Sequence, residues 1–286
     1  MLAIECSETA GSVALGEWTE AIGVTAMRVV AANRLDPAMR SARSLAPVID
    51  EILRGAGWTP GGAVSDEAVS DRATENRLAA VAVSVGPGSF TGLRTGISTA
   101  RMIAWALDAG LIAVDTRDVI AETVFHASAC GAADSVPETL AVWIDAQRGQ
   151  VVTAMYLGVG RCAAVDMADG DAKNIARWER IAVSDRPRAM DEVIRCDLCE
   201  DRDTTRTKQV GLAGTIFGRA SVVAKLPEPL RSGIVAEPLR TPDAAAVLRI
   251  AARKMAAGEF ADLRELRPLY SRPSAAEERI ESLPAH

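Results

Sequence analysis

The segment best suited to chemistry is a glycine-rich turn, Gly86-Pro87-Gly88-Ser89-Phe90-Thr91-Gly92. The apolar run 79–85 before it predicts a buried strand, and the pattern over 93–109 predicts a helix. Backbone N–H groups of such a turn, with the dipole of the following helix, can hold a phosphate. The turn is not a P-loop, because that motif needs a lysine and the first lysine of the chain is Lys173. Its glycine spacing also departs from the dinucleotide pattern G-x-G-x-x-G.

The helix after this turn carries small residues at every fourth position. Gly92, Gly96, Ala100 and Ala104 form a stripe that a second helix can approach closely. Internal packing is the simpler explanation, and composition alone does not separate it from a subunit interface. If the stripe is an interface, the predicted partner-binding residues on this helix and the one before it are Leu45, Val48, Ile49, Ile52, Gly92, Leu93, Gly96, Ile97, Ala100, Ile103 and Ala104.

Four other residues could form a weak nucleotide site. Ser7 and Thr9 lie in the first predicted hairpin turn, and Gly211 and Gly214 lie in and after a predicted strand. Serine, threonine and glycine also favour turns and strand ends for purely structural reasons, so these residues alone do not establish a site.

The motifs that normally supply hydrolytic or metal chemistry are absent from the sequence. The two histidines, His126 and His286, cannot form H-E-x-x-H. Ser89 does not lie in G-x-S-x-G, and Cys196 with Cys199 would need two more ligands to hold zinc. We therefore predict no catalytic residue and no metal site, which argues against a metal-dependent peptidase.

Composition limits the class of protein. The chain has 286 residues, 49% of them hydrophobic, and a net charge of −6, so we expect packed cores and no sequence-wide basic surface for nucleic acid. Five scattered cysteines suit reduced thiols better than a disulfide framework. The first residues do not resemble a secretory signal, and charges interrupt the most apolar stretch, 97–114. We expect a cytoplasmic protein without a membrane span.

The remaining patterns predict alternating strands and helices. Ser44 is placed to cap the first helix, with Pro47 in its first turn. The apolar runs that predict strands, the first three of them antiparallel, are 2–6, 12–15, 21–29, 79–85, 112–114, 140–144, 151–156 and 210–213. Those that predict helices are 44–55, 93–109, 119–129 and 241–258.

Five blocks of the sequence resemble the TsaB family, in order along almost the whole chain. The most specific is the glycine-rich turn with its continuation to Gly96. The others are 3–7 with 12–15, 44–53, 144–151, and 266–272 with 276–277. The chain departs from the family at Glu5 and Cys6, where aspartate and threonine are common, and in two insertions.

The resemblance implies an α/β fold of two actin-like (ASKHA) lobes, in which mixed sheets are flanked by helices. We expect an N-terminal lobe over 1–113 and a C-terminal lobe over 114–286, with a C-terminal helix as a candidate to return to the first lobe. The insertions are predicted at 59–77 and about 158–209, where the apolar period is weak.

The resemblance also implies a function. TsaB supports a TsaD-like catalytic subunit, which with a TsaE-like ATPase transfers a threonylcarbamoyl group to the adenosine beside the anticodon of tRNA. The implied role is a non-catalytic subunit that pairs through its two helices, as a heterodimer or, when alone, as a homodimer. No cofactor of its own is expected; ATP or ADP, magnesium and tRNA come through the complex. The alternative is an ATP-binding enzyme of the same superfamily, kinase-like or carbamoyl-transferring.

Overall fold

The computed structural model describes residues 1–9, 11–21, 24–38, 41–57, 78–129, 137–159, 177–198 and 210–272. The predicted insertion at 59–77 lies outside these residues, as does most of the one at 158–209. The chain divides into two compact units. Unit 1 comprises Met1–Glu122 with Pro242–Pro268, and unit 2 comprises Thr123–Thr241 with Leu269–His286.

The strands of the described residues are β1 (Leu2–Glu5), β2 (Ser12–Ala21), β3 (Val24–Arg34), β4 (Ala80–Gly86), β5 (Gly110–Asp115), β6 (Thr139–Asp145), β7 (Gln150–Val159), β8 (Arg177–Ala189) and β9 (Val210–Ala213). The α-helices are α1 (Ser41–Gly55), α2 (Phe90–Ala106), α3 (Thr116–Ala129), α4 (Met190–Val193), α5 (Ala220–Val223), α6 (Glu228–Arg231) and α7 (Ala244–Ala256). A π-helical turn, Ile194–Leu198, and a 3-10 turn, Thr215–Gly218, complete the set.

Unit 1 is built on a five-stranded mixed sheet in the order β3-β2-β1-β4-β5. Strands β1, β2 and β3 pair antiparallel, which confirms the predicted start of the chain. Strands β1, β4 and β5 pair parallel. Every residue of β1 and β4 is buried, as expected for central strands that are covered on both faces.

Alternate side chains of β1 enter different cores, because successive residues of a strand point to opposite faces of the sheet. Leu2 and Ile4 belong to the cluster that contains Ile97 of α2. Ala3 belongs to the cluster that contains Val247 of α7. The α2 helix therefore shares a core with one face of β1, and α7 shares a core with the other.

Helix α1 begins earlier than the sequence predicted. Its first residue is Ser41, so Ser44 is not the cap and Pro47 lies inside the helix. Ser44 is buried, and its hydroxyl oxygen has no hydrogen-bond partner among the described residues. The cap prediction is wrong because α1 contains Pro47, even though an interior proline removes one backbone donor and crowds the preceding turn, so packing must offset that cost. That packing comes from Leu45 and Ile49, both buried.

The segment after α7 covers the outer side of β5. The N–H of Ala261 donates to the carbonyl oxygen of Leu111 at 2.8 Å, and the ring of Phe260 lies where a side chain at Gly110 would be. Helix α7 is capped by Asp243, whose carboxylate accepts the N–H of Ala245 at 2.7 Å. The C-terminal part of the chain up to Pro268 thus belongs to unit 1.

Unit 2 is built on a four-stranded mixed sheet in the order β8-β7-β6-β9. Strands β6 and β7, which include the predicted runs 140–144 and 151–156, form an antiparallel hairpin, and β9 pairs parallel with β6. Strand β8 lies where the sequence pattern is weak, and it was not predicted. The core beneath this sheet includes Trp143, whose ring centroid is 5.4 Å from that of Phe217.

Within the described residues, none of the helices combines the length and the apolar character needed to span a bilayer.

Candidate functional site

The glycine-rich turn between β4 and α2 is seated on the end of β1. The N–H of Ser89 donates to the carbonyl oxygen of Ser7 at 2.6 Å. A Cβ added at Gly88 would overlap the backbone of Ser7, and one added at Gly92 would overlap the carbonyl oxygen of Cys6. These glycines therefore let two backbone segments touch, which is a structural reason for their spacing.

A buried carboxyl group, that of Glu5, lies under this turn. Its Oε1 accepts hydrogen bonds from the N–H of Ser7 at 2.7 Å, from the hydroxyl of Ser7, and from the hydroxyl of Ser84 at 3.0 Å. The hydroxyl of Ser84 also accepts the N–H of Cys6 at 3.4 Å. Burial raises the pKa of Glu5, and the hydrogen bonds from Ser7 and Ser84 only partly oppose that shift.

These residues do not fit a hydrated magnesium ion. Magnesium keeps several of its waters when a protein binds it, whereas Glu5 is fully buried: its Oε1 accepts three hydrogen bonds, and its Oε2 is buried without a partner among the described residues. Ser7 uses both its N–H and its hydroxyl on Glu5, so neither is left to donate to a phosphate. Among the described residues, no group of three or more His, Cys, Asp and Glu could hold a metal ion.

The four predicted nucleotide residues are divided between the two units. Ser7 is buried in unit 1, and Thr9 is exposed. In unit 2, a Cβ at Gly211 would lie 2.6 Å from Cγ of Pro137. Gly214 has a φ of +131°, and a Cβ there would overlap the carbonyl oxygen of Trp143. Ser7, Gly211 and Gly214 thus have structural roles that explain their residue types.

The residues that the sequence predicts for a partner surface on α2 lie in the core of unit 1, and their partner role stays a prediction. Gly92, Leu93, Gly96, Ile97, Ala100 and Ala104 are all buried in unit 1. A Cβ at Gly96 would lie 3.2 Å from Cβ of Cys6, so the small-residue stripe packs on β1. Ile103 is half-buried in the same core.

The predicted residues of α1 are in the same core. Leu45, Ile49 and Ile52 are buried, and Val48 is half-buried. Amphipathic spacing identified the apolar faces of both helices correctly. These faces pack within unit 1, in the same cluster as residues of its sheet.

A different face of α2 is exposed. Trp105 is 77% exposed, Met102 62% and Phe90 41%. The guanidinium of Arg94 lies 3.8 Å above the ring of Phe90, an arrangement in which the ring attracts the cation. We call Phe90, Arg94, Ser98, Met102 and Trp105 the outer face of α2. The sequence shows part of this face, because Met102 and Trp105 are three residues apart and lie outside the small-residue stripe.

The tip of the β6–β7 hairpin is held by polar contacts. Asp145 pairs with Arg219 at 2.7 Å and accepts the N–H of Gln147 at 2.8 Å. Gln147 and Arg148 have positive φ angles, which non-glycine residues adopt infrequently. Arg272 donates to the side chain of Gln150. The fourth and fifth blocks of the family resemblance therefore meet within unit 2.

The thiols of Cys6 and Cys196 and the imidazole of His126 fall in the part of the chain that the structure describes. Burial raises the pKa of the Cys6 thiol, so its thiolate is disfavoured. Cys196 and His126 are exposed, while Cys199 and His286 lie outside the described residues.

Comparison with known proteins gives a family. The model of the family described as "TsaD: tRNA N6-adenosine threonylcarbamoyltransferase" matches residues 38–277. The chain belongs to this TsaD family. It is 34% identical over 79 residues to the tRNA threonylcarbamoyladenosine biosynthesis protein TsaB of Bacillus subtilis. That match covers 28% of the chain and 31% of the relative's length, and it confirms the resemblance to TsaB.

Two solved structures share the fold of this TsaD-family chain. One is YeaZ from Pseudomonas aeruginosa, 21% identical, with a TM-score of 0.60, covering 93% of this chain and 97% of that one. The other is a protein with similarity to peptidase YeaZ from Pseudomonas aeruginosa, 20% identical, also with a TM-score of 0.60, covering 95% and 98%. The predicted α/β fold, with actin-like mixed sheets flanked by helices, is confirmed.

Proposed function

We propose that this TsaD-family chain is a non-catalytic, cytoplasmic subunit needed to threonylcarbamoylate the adenosine beside the anticodon of tRNA. It binds and supports a TsaD-like catalytic subunit, and a TsaE-like ATPase and tRNA join through that complex. The observation that carries the proposal is the family match over 38–277, supported by the curated TsaB relative.

The chemistry of the described residues supports a non-catalytic role. Catalysis of acyl transfer needs a nucleophile, a base or a metal in mutual reach. Glu5 is buried and accepts hydrogen bonds from neighbouring residues, and the raised pKa of Cys6 disfavours its thiolate. ATP, ADP and magnesium are therefore assigned to the complex and not to this chain.

The partner surface belongs to the outer face of α2. Trp, Met and Arg are enriched at protein interfaces, and monomers rarely expose large apolar patches. Trp105, Met102 and Phe90 are the large apolar side chains that α2 exposes. We assign this face to a helix of the TsaD-like subunit, and to a second copy of the chain when the partner is absent.

Substituting Trp105→Asp tests the surface. A buried tryptophan at an interface is commonly a hot spot of at least about 2 kcal/mol, so affinity for the TsaD-like subunit should fall by about 30-fold or more. Isothermal titration with the purified partner measures the affinity, and thermal unfolding should show an unchanged monomer. The matched control is Ile181→Asp, which places the same charge on an exposed side chain of unit 2. Equal affinity of both variants would contradict the assignment.

Reconstitution tests the function itself. TsaD-like and TsaE-like subunits, tRNA, ATP and threonylcarbamoyl-adenylate are combined with or without this chain, and modified adenosine is measured by mass spectrometry. We expect modification only when the chain is present, and neither modification nor ATP hydrolysis from the chain alone. Robust ATP turnover by the isolated chain would favour the alternative, an ATP-binding enzyme of the same superfamily.

A further inference from the structure

The carboxyl group of Glu5 connects three elements of unit 1. It stands at the end of β1, and its Oε1 accepts hydrogen bonds from Ser7 in the following turn and from Ser84 of β4. Ser84 in turn accepts the N–H of Cys6. One carboxyl oxygen therefore fixes the turn after β1 against the neighbouring parallel strand.

Ser7 extends this connection to α2. Its carbonyl oxygen accepts the N–H of Ser89 at 2.6 Å. Ser89 is the N-cap of α2, and its hydroxyl accepts the N–H of Gly92 at 3.3 Å. A continuous path of hydrogen bonds thus runs from Glu5 through Ser7 to the first turn of α2.

Apart from the hydrogen bonds to Oε1, the surroundings of Glu5 disfavour a negative charge. Its Oε2 is buried and has no hydrogen-bond partner among the described residues, where no arginine or lysine pairs with it. The uncharged Ser12 of β2 is its register partner, and the charged group of α7 that acts on it is another acid, Asp243. Arg34 of β3 pairs with this acid at 3.8 Å. A buried carboxylate without a cation costs far more than a neutral carboxyl.

We propose that Glu5 is a positioning residue that acts as a neutral carboxylic acid, fixing Ser7 and, through Ser7, the first turn of α2. Burial raises the pKa of Glu5, in agreement with this geometry, and the same burial raises the pKa of the Cys6 thiol beside it. The inference does not rest on the proposed function, because every readout uses the isolated chain.

Glu5→Gln tests the neutral state through pH. Below about pH 4 the carboxyl is protonated in both the folded and the unfolded chain. As pH rises, the unfolded chain releases this proton while the folded chain keeps it, so the native protein loses stability that the glutamine variant retains. We expect the melting temperature of Glu5→Gln, relative to the native protein, to rise by several degrees between pH 5 and pH 8. The control Glu51→Gln, on the exposed side of α1, should show a flat difference. A difference that falls with pH would overturn the proposal.

Hydrogen exchange tests the positioning role. Glu5→Ala should accelerate exchange of the Ser89 and Gly92 amides at least tenfold and leave the amides of α7 unchanged, whereas Glu5→Gln should restore protection. If Glu5→Ala fails to fold, Ser84→Ala removes one donor and should accelerate the same two amides to a smaller degree. Unchanged protection at Ser89 in the folded variants, or equal exchange in Glu5→Ala and Glu5→Gln, would overturn the role.

Discussion

The space around each glycine differs sharply within unit 1. At Gly92 an added Cβ would overlap a backbone oxygen, which cannot move aside as the end of a flexible side chain can. At Gly55, the last residue of α1, nothing lies within 4 Å of the same atom. Two helical glycines with the same intrinsic helix propensity thus differ in whether they tolerate a larger side chain.

Alanine substitutions measure this difference. Gly92→Ala should destabilise the protein by about 3 kcal/mol or more, because the energetic cost of the overlap exceeds the roughly 1 kcal/mol that alanine gains over glycine in a helix. Gly55→Ala should leave stability unchanged or raise it by up to about 1 kcal/mol. Urea unfolding gives both values. A stable Gly92→Ala variant would show that α2 can move away from β1.

The two described cysteines should differ in reactivity. The thiol of Cys6 is buried and its pKa is raised, whereas Cys196 is exposed. In the folded protein at pH 8, iodoacetamide should label Cys196 and leave Cys6 unmodified until denaturant is added, as measured by peptide mass spectrometry. Rapid labelling of Cys6 would mean that the end of β1 opens.

The small-residue stripe of α2 predicts a close backbone contact but does not identify the contacting segment. Glycine at every fourth position predicts that a backbone will lie against the helix, and it does. It does not say which backbone, because β1 is brought to α2 by parallel pairing with β4, a contact between residues nearly eighty positions apart. Trp105, by contrast, could have been identified from its position opposite the stripe.

An ion cluster joins α3 and α7 in unit 1; its Glu122 and Arg249 are largely buried, and its Arg253 is half-exposed. Glu122 pairs with Arg249 at 3.3 Å and with Arg253 at 2.7 Å. Burial lowers the pKa of Arg249, and the charge of Glu122 opposes that shift. Removing the acid would leave the cation of Arg249 buried without its partner.

Glu122→Ala should therefore cost about 3–5 kcal/mol of unfolding free energy, the usual cost of breaking a buried pair. Arg28→Ala removes an exposed pair with Glu17 between β2 and β3 and should cost at most about 1 kcal/mol. Denaturant unfolding at equal salt compares them. Equal costs would mean that solvent reaches the α3–α7 cluster.

Most elements could be predicted from periodicity, and the exceptions have physical causes. Periodicity predicts strands β6, β7 and β9, because apolar residues alternate there or run together. Strand β8 was missed because much of its surface is exposed and its apolar residues do not alternate. Helix α2 begins at Phe90, earlier than predicted, because the cap is a serine within the glycine-rich turn.

At the scale of the whole molecule, each unit has its own sheet and its own hydrophobic clusters. The predicted boundary at residue 113 remains a prediction, and the compact units divide between Glu122 and Thr123. A defect in one sheet should therefore loosen that unit before the other.

Gly214→Ala tests this independence. Its φ of +131° and the overlap with Trp143 should destabilise unit 2. In hydrogen exchange of this variant, the amides of β6 and β9 should lose protection, whereas the amides of β1 and β4 should keep theirs. Equal loss in both sheets would indicate that the chain opens as one cooperative body.

Strand β8, the outermost described strand of its sheet, has two breaks in its ladder with β7. Such breaks bend a strand and interrupt the even row of amides and carbonyls along its free side. Unfolded or nascent polypeptides add themselves most readily to a straight row of that kind. We therefore expect the irregularity of β8 to hinder fibre-like self-association, and a deletion that straightened this strand to lower the solubility of the protein.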